Sequence, residues 1–192
     1  GSGRFEYADI NGDGSINDDD REKIGSPHPD FTFGVNVSLG YKNFDLYAFF
    51  AGSVGNEIYH YNKIYSHFPT FFNGNRHEDV LDSWTPSNTD TDMPALSESI
   101  RNDETQPNSW FVEDGSYVKL KTLQIGYTLP SSATSKLGIS NARIYVAGNN
   151  LLTLSKYSGM DPEVGGGPLT LGVDQGIYPQ ASITSLGINV TF

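Results

Sequence analysis

Hydrophobic and polar residues alternate strictly over several stretches of this chain. In the run ending at Phe192, Leu186, Ile188, Val190 and Phe192 share one face, while Ser185, Gly187, Asn189 and Thr191 share the other. Phe31, Phe33, Val35, Val37 and Leu39 alternate in the same way with Thr32, Gly34, Asn36 and Ser38. A period of two sends successive side chains to opposite sides of a strand, so each run predicts a strand with one apolar face. Read in this way, strands are expected at 31–40, 44–53, 117–129, 142–153 and 182–192. The first two make a hairpin about Tyr41-Lys42-Asn43, with Phe44, Leu46, Ala48 and Phe50 again on one face. Ser26-Pro27-His28-Pro29-Asp30 leads into it in extended form, because each Pro biases its predecessor away from helix.

The polar faces are small. Residues 31–39 carry no Lys or Glu, whereas the exposed face of a soluble sheet usually bears long charged side chains that guard against edge pairing. Gly, Ser, Thr and Asn suit a crowded, hydrated barrel lumen, and the opposite face suits lipid. A strand of an ordinary β-sandwich has the same period, so pattern alone leaves both open. Long irregular stretches at 55–114 and 157–180 alternate with short turns, which is the loop asymmetry of an outer-membrane barrel. Within them, Arg76–Trp84 reads as a short helix stopped ahead of Pro86. The fold class expected is all-β: antiparallel, hairpin-connected strands forming the C-terminal part of a transmembrane β-barrel, with long extracellular loops. An acidic loop occupies 1–25 and the barrel segment 26–192. Five strands cannot close a transmembrane barrel, which needs at least about eight. A strand ending on an aromatic residue resembles the closing strand of bacterial outer-membrane barrels. By that resemblance Leu186, Ile188, Val190 and Phe192 are the barrel-assembly signal.

Composition narrows the field. Among 192 residues there are 21 Gly, 11 Tyr and 11 Phe, which fits tight lumen packing and aromatic girdles. No window holds the roughly 18 apolar residues of a spanning helix, and the mean hydropathy of −0.40 leaves strand crossings open. A net charge of −11 argues against nucleic acid as a partner. The absence of Cys removes disulfide and thiol chemistry. The start Gly-Ser-Gly, without Met, reads as a mature or cut-down piece of something longer.

Asp9-Ile10-Asn11-Gly12-Asp13-Gly14-Ser15-Ile16-Asn17-Asp18-Asp19-Asp20 follows the twelve-residue calcium loop. Oxygen ligands fall at Asp9, Asn11, Asp13, the Ser15 carbonyl and Asp20, with the sharp turn at Gly14. Position twelve is Asp rather than Glu, a shorter reach. An acidic, Asx-rich turn without metal is the alternative. Asp18–Ile24 allows one helical turn ending at Gly25, so a structural calcium staple is expected rather than a paired sensor.

Catalytic signals are missing. His77-Glu78 lacks the second His of a zincin, no Ser sits in a nucleophile elbow, and Gly165-Gly166-Gly167 has no following Lys. The four His read as polar loop residues, the pair Glu113-Asp114 has no spacing that selects it for hydrolysis, and no enzyme is expected.

Taken together, several segments are similar to one family. Tyr7–Tyr59 (YADINGDGSINDDDREKIGSPHPDFTFGVNVSLGYKNFDLYAFFAGSVGNEIY), Ser109–Pro130 (SWFVEDGSYVKLKTLQIGYTLP), Arg143–Val164 (RIYVAGNNLLTLSKYSGMDPEV) and the terminal LGINVTF resemble the C-terminal part of SusC/RagA-type TonB-linked outer-membrane proteins, in the family's order. The resemblance implies a barrel of about 22 strands with a plug, in the outer membrane of a Gram-negative bacterium. It also implies a SusD-like surface lipoprotein as partner, TonB acting through a plug region absent from this chain, and a glycan or peptide as cargo. Tyr59, Phe71, Trp84 and Trp110 in the loops suit sugars or peptides alike. The alternative is a secreted, calcium-stapled β-sheet module that binds glycan or protein. As a fragment of a barrel, the isolated chain should hide its apolar face, by self-association, by folding the sheet over, or by docking its loops.

Overall fold

The computed structural model describes residues 3–71, 73–97, 99 and 104–192. Residues 1, 2, 72, 98 and 100–103, the last six belonging to the long 55–114 stretch, lie outside the described residues. The strands are β1 (Phe31–Tyr41), β2 (Phe44–Val54), β3 (Glu57–Tyr59), β4 (Val112–Asp114), β5 (Tyr117–Thr128), β6 (Asn141–Ser155) and β7 (Ile183–Thr191). A five-stranded sheet runs in the order β1-β2-β5-β6-β7, and β3 pairs with β4. Every neighbour in the large sheet is antiparallel. The sheet is open, with β1 and β7 at its edges. Among the described residues no helix is long and apolar enough to cross a membrane, which says nothing of strands.

The chain divides into two compact units: a sheet unit of residues 27–57, 114–163 and 177–192, and a loop unit of 1–26, 58–113 and 164–176. In the sheet unit, register aligns the alternating pattern of one strand with that of the next. Leu39 pairs with Leu46, Leu46 with Ile125, Ile125 with Val146 and Val146 with Leu186, an apolar row from edge to edge. Partners across an antiparallel ladder share a face, so one side of the sheet is a continuous apolar surface. That surface is not covered: Leu39 is 63% exposed, Ile125 47% and Leu186 72%. A register shift in β5, between Leu120 and Thr122, re-phases the alternation there. It puts Val118 and Leu120 on the same face as Leu123 and Ile125, through their partners Gly52, Phe50, Ala48 and Leu46. The β1–β2 hairpin turns through Lys42 and Asn43, with Lys42 at a left-handed φ of 53°.

The loop unit gathers much of the two long loop stretches of 26–192 into a body of its own. Residues 58–113 and 164–176, expected as loops, form a body with the N-terminal residues. Its centre is Ile64, Phe68 and Phe111, the last fully buried, with Phe5, Tyr59, Tyr61 and Trp110 packed against them. A short helix α1 (Lys63–His67) supplies Ile64, and Phe68 caps its C-terminal end. Residues 172–174 lie along Tyr59–Asn62: Tyr59 N–H donates to the Gly172 carbonyl at 2.8 Å and Asp174 N–H to the Tyr59 carbonyl at 2.9 Å. Enough aromatic surface is concentrated in these irregular stretches for them to bury a core of their own.

Two helical expectations shrink. Arg76–Trp84 holds only a five-residue 3-10 turn, Glu78–Asp82, and Leu81 within it is 91% exposed. A segment with so little apolar surface has nothing to bury that would offset helix nucleation. At 18–24 only Asp18–Asp20 is helical, capped by Asn17 and already extended at Arg21.

Candidate functional site

The acidic loop is held by its own side chains. Asp9 Oδ1 accepts from the Gly12 N–H at 2.6 Å and Asp9 Oδ2 from the Gly14 N–H at 2.8 Å, while Asn11 Oδ1 accepts from the Asp13 N–H at 2.8 Å. Gly12 and Gly14 take φ of 74° and 83°, left-handed turns that a side chain would strain. Asp20 closes the loop, accepting from Ile10 N–H at 2.9 Å and Asn17 N–H at 2.8 Å. The Asn17 N–H, opposed by slight burial and joined by those of Asn11 and Ile10, holds the Asp20 carboxyl below its ordinary range. The donor set, three carboxylates, an amide oxygen and the Ser15 carbonyl, is all hard oxygen and suits calcium chemically. The Asp9, Asp13 and Asp20 carboxylates are presently spent on backbone N–H groups, so an ion would have to share them.

The four loop aromatics occupy different settings. Tyr59 and Trp110, partly buried, pack against the core of the loop unit. The Tyr59 hydroxyl is buried without a hydrogen-bond partner, and burial pushes its pKa up to about 12. Trp110 stacks edge-on against Phe68 and Phe111, donates Nε1–H to the Asp92 carbonyl at 3.0 Å and carries the Lys63 ammonium 4.6 Å over its ring. Trp84, half-buried, lines an open cavity of about 230 Å³ with Arg4, Phe5 and Met93. Phe71 is 42% exposed and rests edge-on against Tyr65.

Opposite the apolar face, the sheet carries two separate groups of paired charges. Arg143 on β6 grips the Asp45 carboxylate on β2, with Nε–Oδ1 at 2.9 Å, across the intervening strand β5. Gly126 on β5 makes room, since a Cβ there would collide with both partners. Nearby, Tyr47 donates to Asn36 Oδ1 at 2.8 Å. Lys119 on β5, only 2% exposed, is held between Asp161 Oδ1 at 2.5 Å and Glu163 Oε2 at 3.0 Å, and Lys121 also reaches Glu163. Burial would raise both carboxyls, yet Lys119 with the Glu163 and Gln180 N–H groups holds Asp161, and Lys121 with Lys119 holds Glu163, below the ordinary carboxylate range. These ion pairs tie residues 161–163 onto the polar face of the sheet. They are mutually compensated.

No family model matches the chain. TonB-dependent receptor P3 of Formosa agariphila is 41% identical over 193 residues, covering 97% of this chain and 19% of that receptor. TonB-dependent receptor P26 of the same organism is 39% identical over 99% of the chain. TonB-dependent receptor SusC of Bacteroides thetaiotaomicron is 27% identical over 97%. Among solved structures, the RagAB peptide transporter superposes with a TM-score of 0.75 at 29% identity, over 93% of this chain and 19% of its own. The chain is a segment of a SusC/RagA-type TonB-dependent receptor. It spans about a fifth of the length of the curated relatives it matches.

Sequence reasoning missed two clusters in this receptor segment. Lys119, Asp161 and Glu163 are separated by about forty positions and come together only when 157–163 folds back over β5. His60 and His67, read as polar loop residues, are 8% and 3% exposed. His67, His77 and Asp79 are the one trio of His, Asp or Glu among the described residues whose ligand atoms all lie within 4.8 Å of one another. Burial lowers the His67 imidazole from its ordinary value, against the Asp79 carboxylate, which works the other way. No established spacing motif links them. The closing-strand residues Leu186, Ile188 and Val190 lie on the apolar face of β7, paired with Val146, Ile144 and Ala142, and Phe192 is 87% exposed.

Proposed function

We propose that this segment is the C-terminal barrel portion of a TonB-dependent importer in the outer membrane of a Gram-negative bacterium. The whole receptor would carry glycan or peptide into the periplasm, drawing on TonB through a plug outside this chain. A SusD-like lipoprotein would meet it at the cell surface. The observation that carries the reading is the edge-to-edge apolar face, Leu39–Leu46–Ile125–Val146–Leu186, backed by a face of compensated polar groups. In water such a surface is a liability of roughly 1.5–3 kcal/mol for each large side chain left out of an apolar setting; in a bilayer it is the contact with lipid. The two edges, β1 and β7, would pair with further strands of the same barrel, which removes the open ladders. The relatives, TonB-dependent receptors from Formosa agariphila and SusC from Bacteroides thetaiotaomicron, support the same role, as does the likeness to a peptide importer. The segment holds and positions; it does no bond chemistry.

The test is membrane fractionation and uptake with the full-length receptor. Outer-membrane recovery with loss of cargo uptake on deletion is expected; recovery in the soluble secreted fraction would instead favour a calcium-stapled binding module. Within the same proposal, the acidic loop binds calcium through Asp9, Asn11, Asp13, the Ser15 carbonyl and Asp20 as a structural staple. Calorimetric titration of calcium into the receptor and its Asp13→Ala variant tests this. Equal uptake of calcium by the two would end the assignment.

A further inference from the structure

His67 ends α1 with its ring buried, and its Nδ1 lies 2.8 Å from Ser66 Oγ. The Ser66 hydroxyl also reaches the Asn62 carbonyl at 3.2 Å, and a carbonyl can only accept. In the tautomer a metal ligand adopts, the hydroxyl hydrogen serves Asn62 and His67 Nδ1–H donates to Ser66 Oγ. His67 Nε2 then turns a lone pair towards Asp79 Oδ2, 3.4 Å away. His77 caps the Glu78–Asp82 turn by accepting the Asp79 N–H at its Nδ1, so this nitrogen too bears no hydrogen. It stands 3.2 Å from the same Asp79 Oδ2. Two imidazole nitrogens and a carboxylate oxygen thus lie within 4.8 Å of one another. In this tautomer all three are electron-pair donors, the set a cation takes.

We propose that His67 Nε2, His77 Nδ1 and Asp79 Oδ2 form a binding site for a divalent transition-metal ion of the zinc class. Metal–ligand bonds near 2.0–2.1 Å around a tetrahedral centre place neighbouring ligand atoms about 3.3–3.4 Å apart. The separations from Asp79 Oδ2, 3.2 and 3.4 Å, match that edge. Two imidazoles and one carboxylate select zinc and its neighbours over calcium or magnesium, which take oxygen. The Asp79 N–H bond to His77 is long at 3.3 Å, and the lone pair it occupies is the one a metal takes. Ser66 on the far nitrogen of His67 holds the ring and can accept Nδ1–H, the supporting contact that ligating histidines require.

The two ligating segments are already held together without the ion. His77 N–H donates to the Ser66 carbonyl at 3.0 Å, and Arg76 reaches the Tyr65 and Pro69 carbonyls at 3.1 and 3.3 Å. The rings of His67 and His77 stack at 5.2 Å. His77 and Asp79 are about half exposed, which gives the ion an entry path and leaves its fourth position to solvent or to an incoming ligand. Bound metal would pin the Glu78–Asp82 turn onto α1.

The test uses the full-length receptor, stripped with chelator and titrated with zinc alone, then with cobalt(II) read by its visible absorption. Wild type should take up one more equivalent of zinc than His77→Gln or Asp79→Asn, both exposed positions that leave the core intact. The strong absorption of tetrahedral cobalt should be lost in the same two variants. Ser66→Ala should weaken zinc about tenfold, and excess calcium should not displace it. Equal zinc stoichiometry and affinity in wild type and both variants would overturn the site.

Discussion

The two units of this segment put their aromatic and aliphatic residues to opposite uses. In the sheet unit the large apolar side chains point outward and stay exposed, and the ion pairs are packed on the other face. In the loop unit Ile64, Phe68 and Phe111 are buried against one another and against Phe5, Tyr59, Tyr61 and Trp110. One unit owes its order to backbone ladders and leaves its apolar face uncovered; the other makes its own interior. Hydrophobic content therefore does not say where the core is. The neighbour of each residue across the ladder or in the cluster does.

The largest effect expected from breaking this contrast is at Phe111. Phe111→Ala removes a side chain with no exposure, and large-to-small core changes of this kind cost about 3–5 kcal/mol. Hydrogen exchange of peptides in 58–113 of the full-length receptor should rise sharply, while exchange in β5 and β6 stays protected. Uniform loosening of both would merge the two units into one cooperative body.

Lys119→Met attacks the polar face instead. It strands Asp161 beside an apolar side chain, and breaking one partner of a buried pair costs roughly 3 kcal/mol or more. Protease cleavage within 157–163 should appear, with the strands retained. The same contact gives a pH dependence. Asp161 and Glu163 have folded pKa values below their ordinary ones, so their contribution is present at neutral pH and is lost as pH falls through the depressed values. Cleavage of 157–163 by an acid protease should rise only below about pH 4, the ordinary carboxylate range. A loop equally open at pH 7 would contradict the ion-pair account.

The smallest expected change has a telling sign. Tyr59→Phe deletes a buried hydroxyl without a partner, so stability should hold or rise by about 1 kcal/mol. Cargo uptake should be unchanged if Tyr59 is a packing residue, and should fall if it contacts substrate. Thermal melting and uptake by the same variant separate these outcomes.

How far the fold was legible follows from the range of each signal. The antiparallel hairpins were readable because alternation is local: residues 31–39 already state which side is apolar. The switch of phase in β5 breaks the alternation within one strand, Val118 and Leu120 before it and Leu123 and Ile125 after. The loop unit was not readable as a body. Ile64 and Phe68 have helical spacing, but their partners Phe5 and Phe111 are distant in sequence, and only tertiary contact reveals them. The acidic loop was legible as a motif because its Asp, Asn and Gly positions are contiguous. Lys119–Asp161 and His67–His77–Asp79 were not, because charge and imidazole acquire meaning only from what faces them.

The central claim is that the apolar side of the five-stranded sheet faces lipid. Spin labels placed one at a time at Leu39, Ile125 and Leu186, and at Ser38, Gln124 and Ser185 on the other face, in the full-length receptor in bilayers, test it most directly. The account expects the first three to be relaxed by oxygen dissolved in lipid and the second three only by a water-soluble nickel chelate. Chelate access at Leu39, Ile125 and Leu186, equal to that at their polar neighbours, would contradict it.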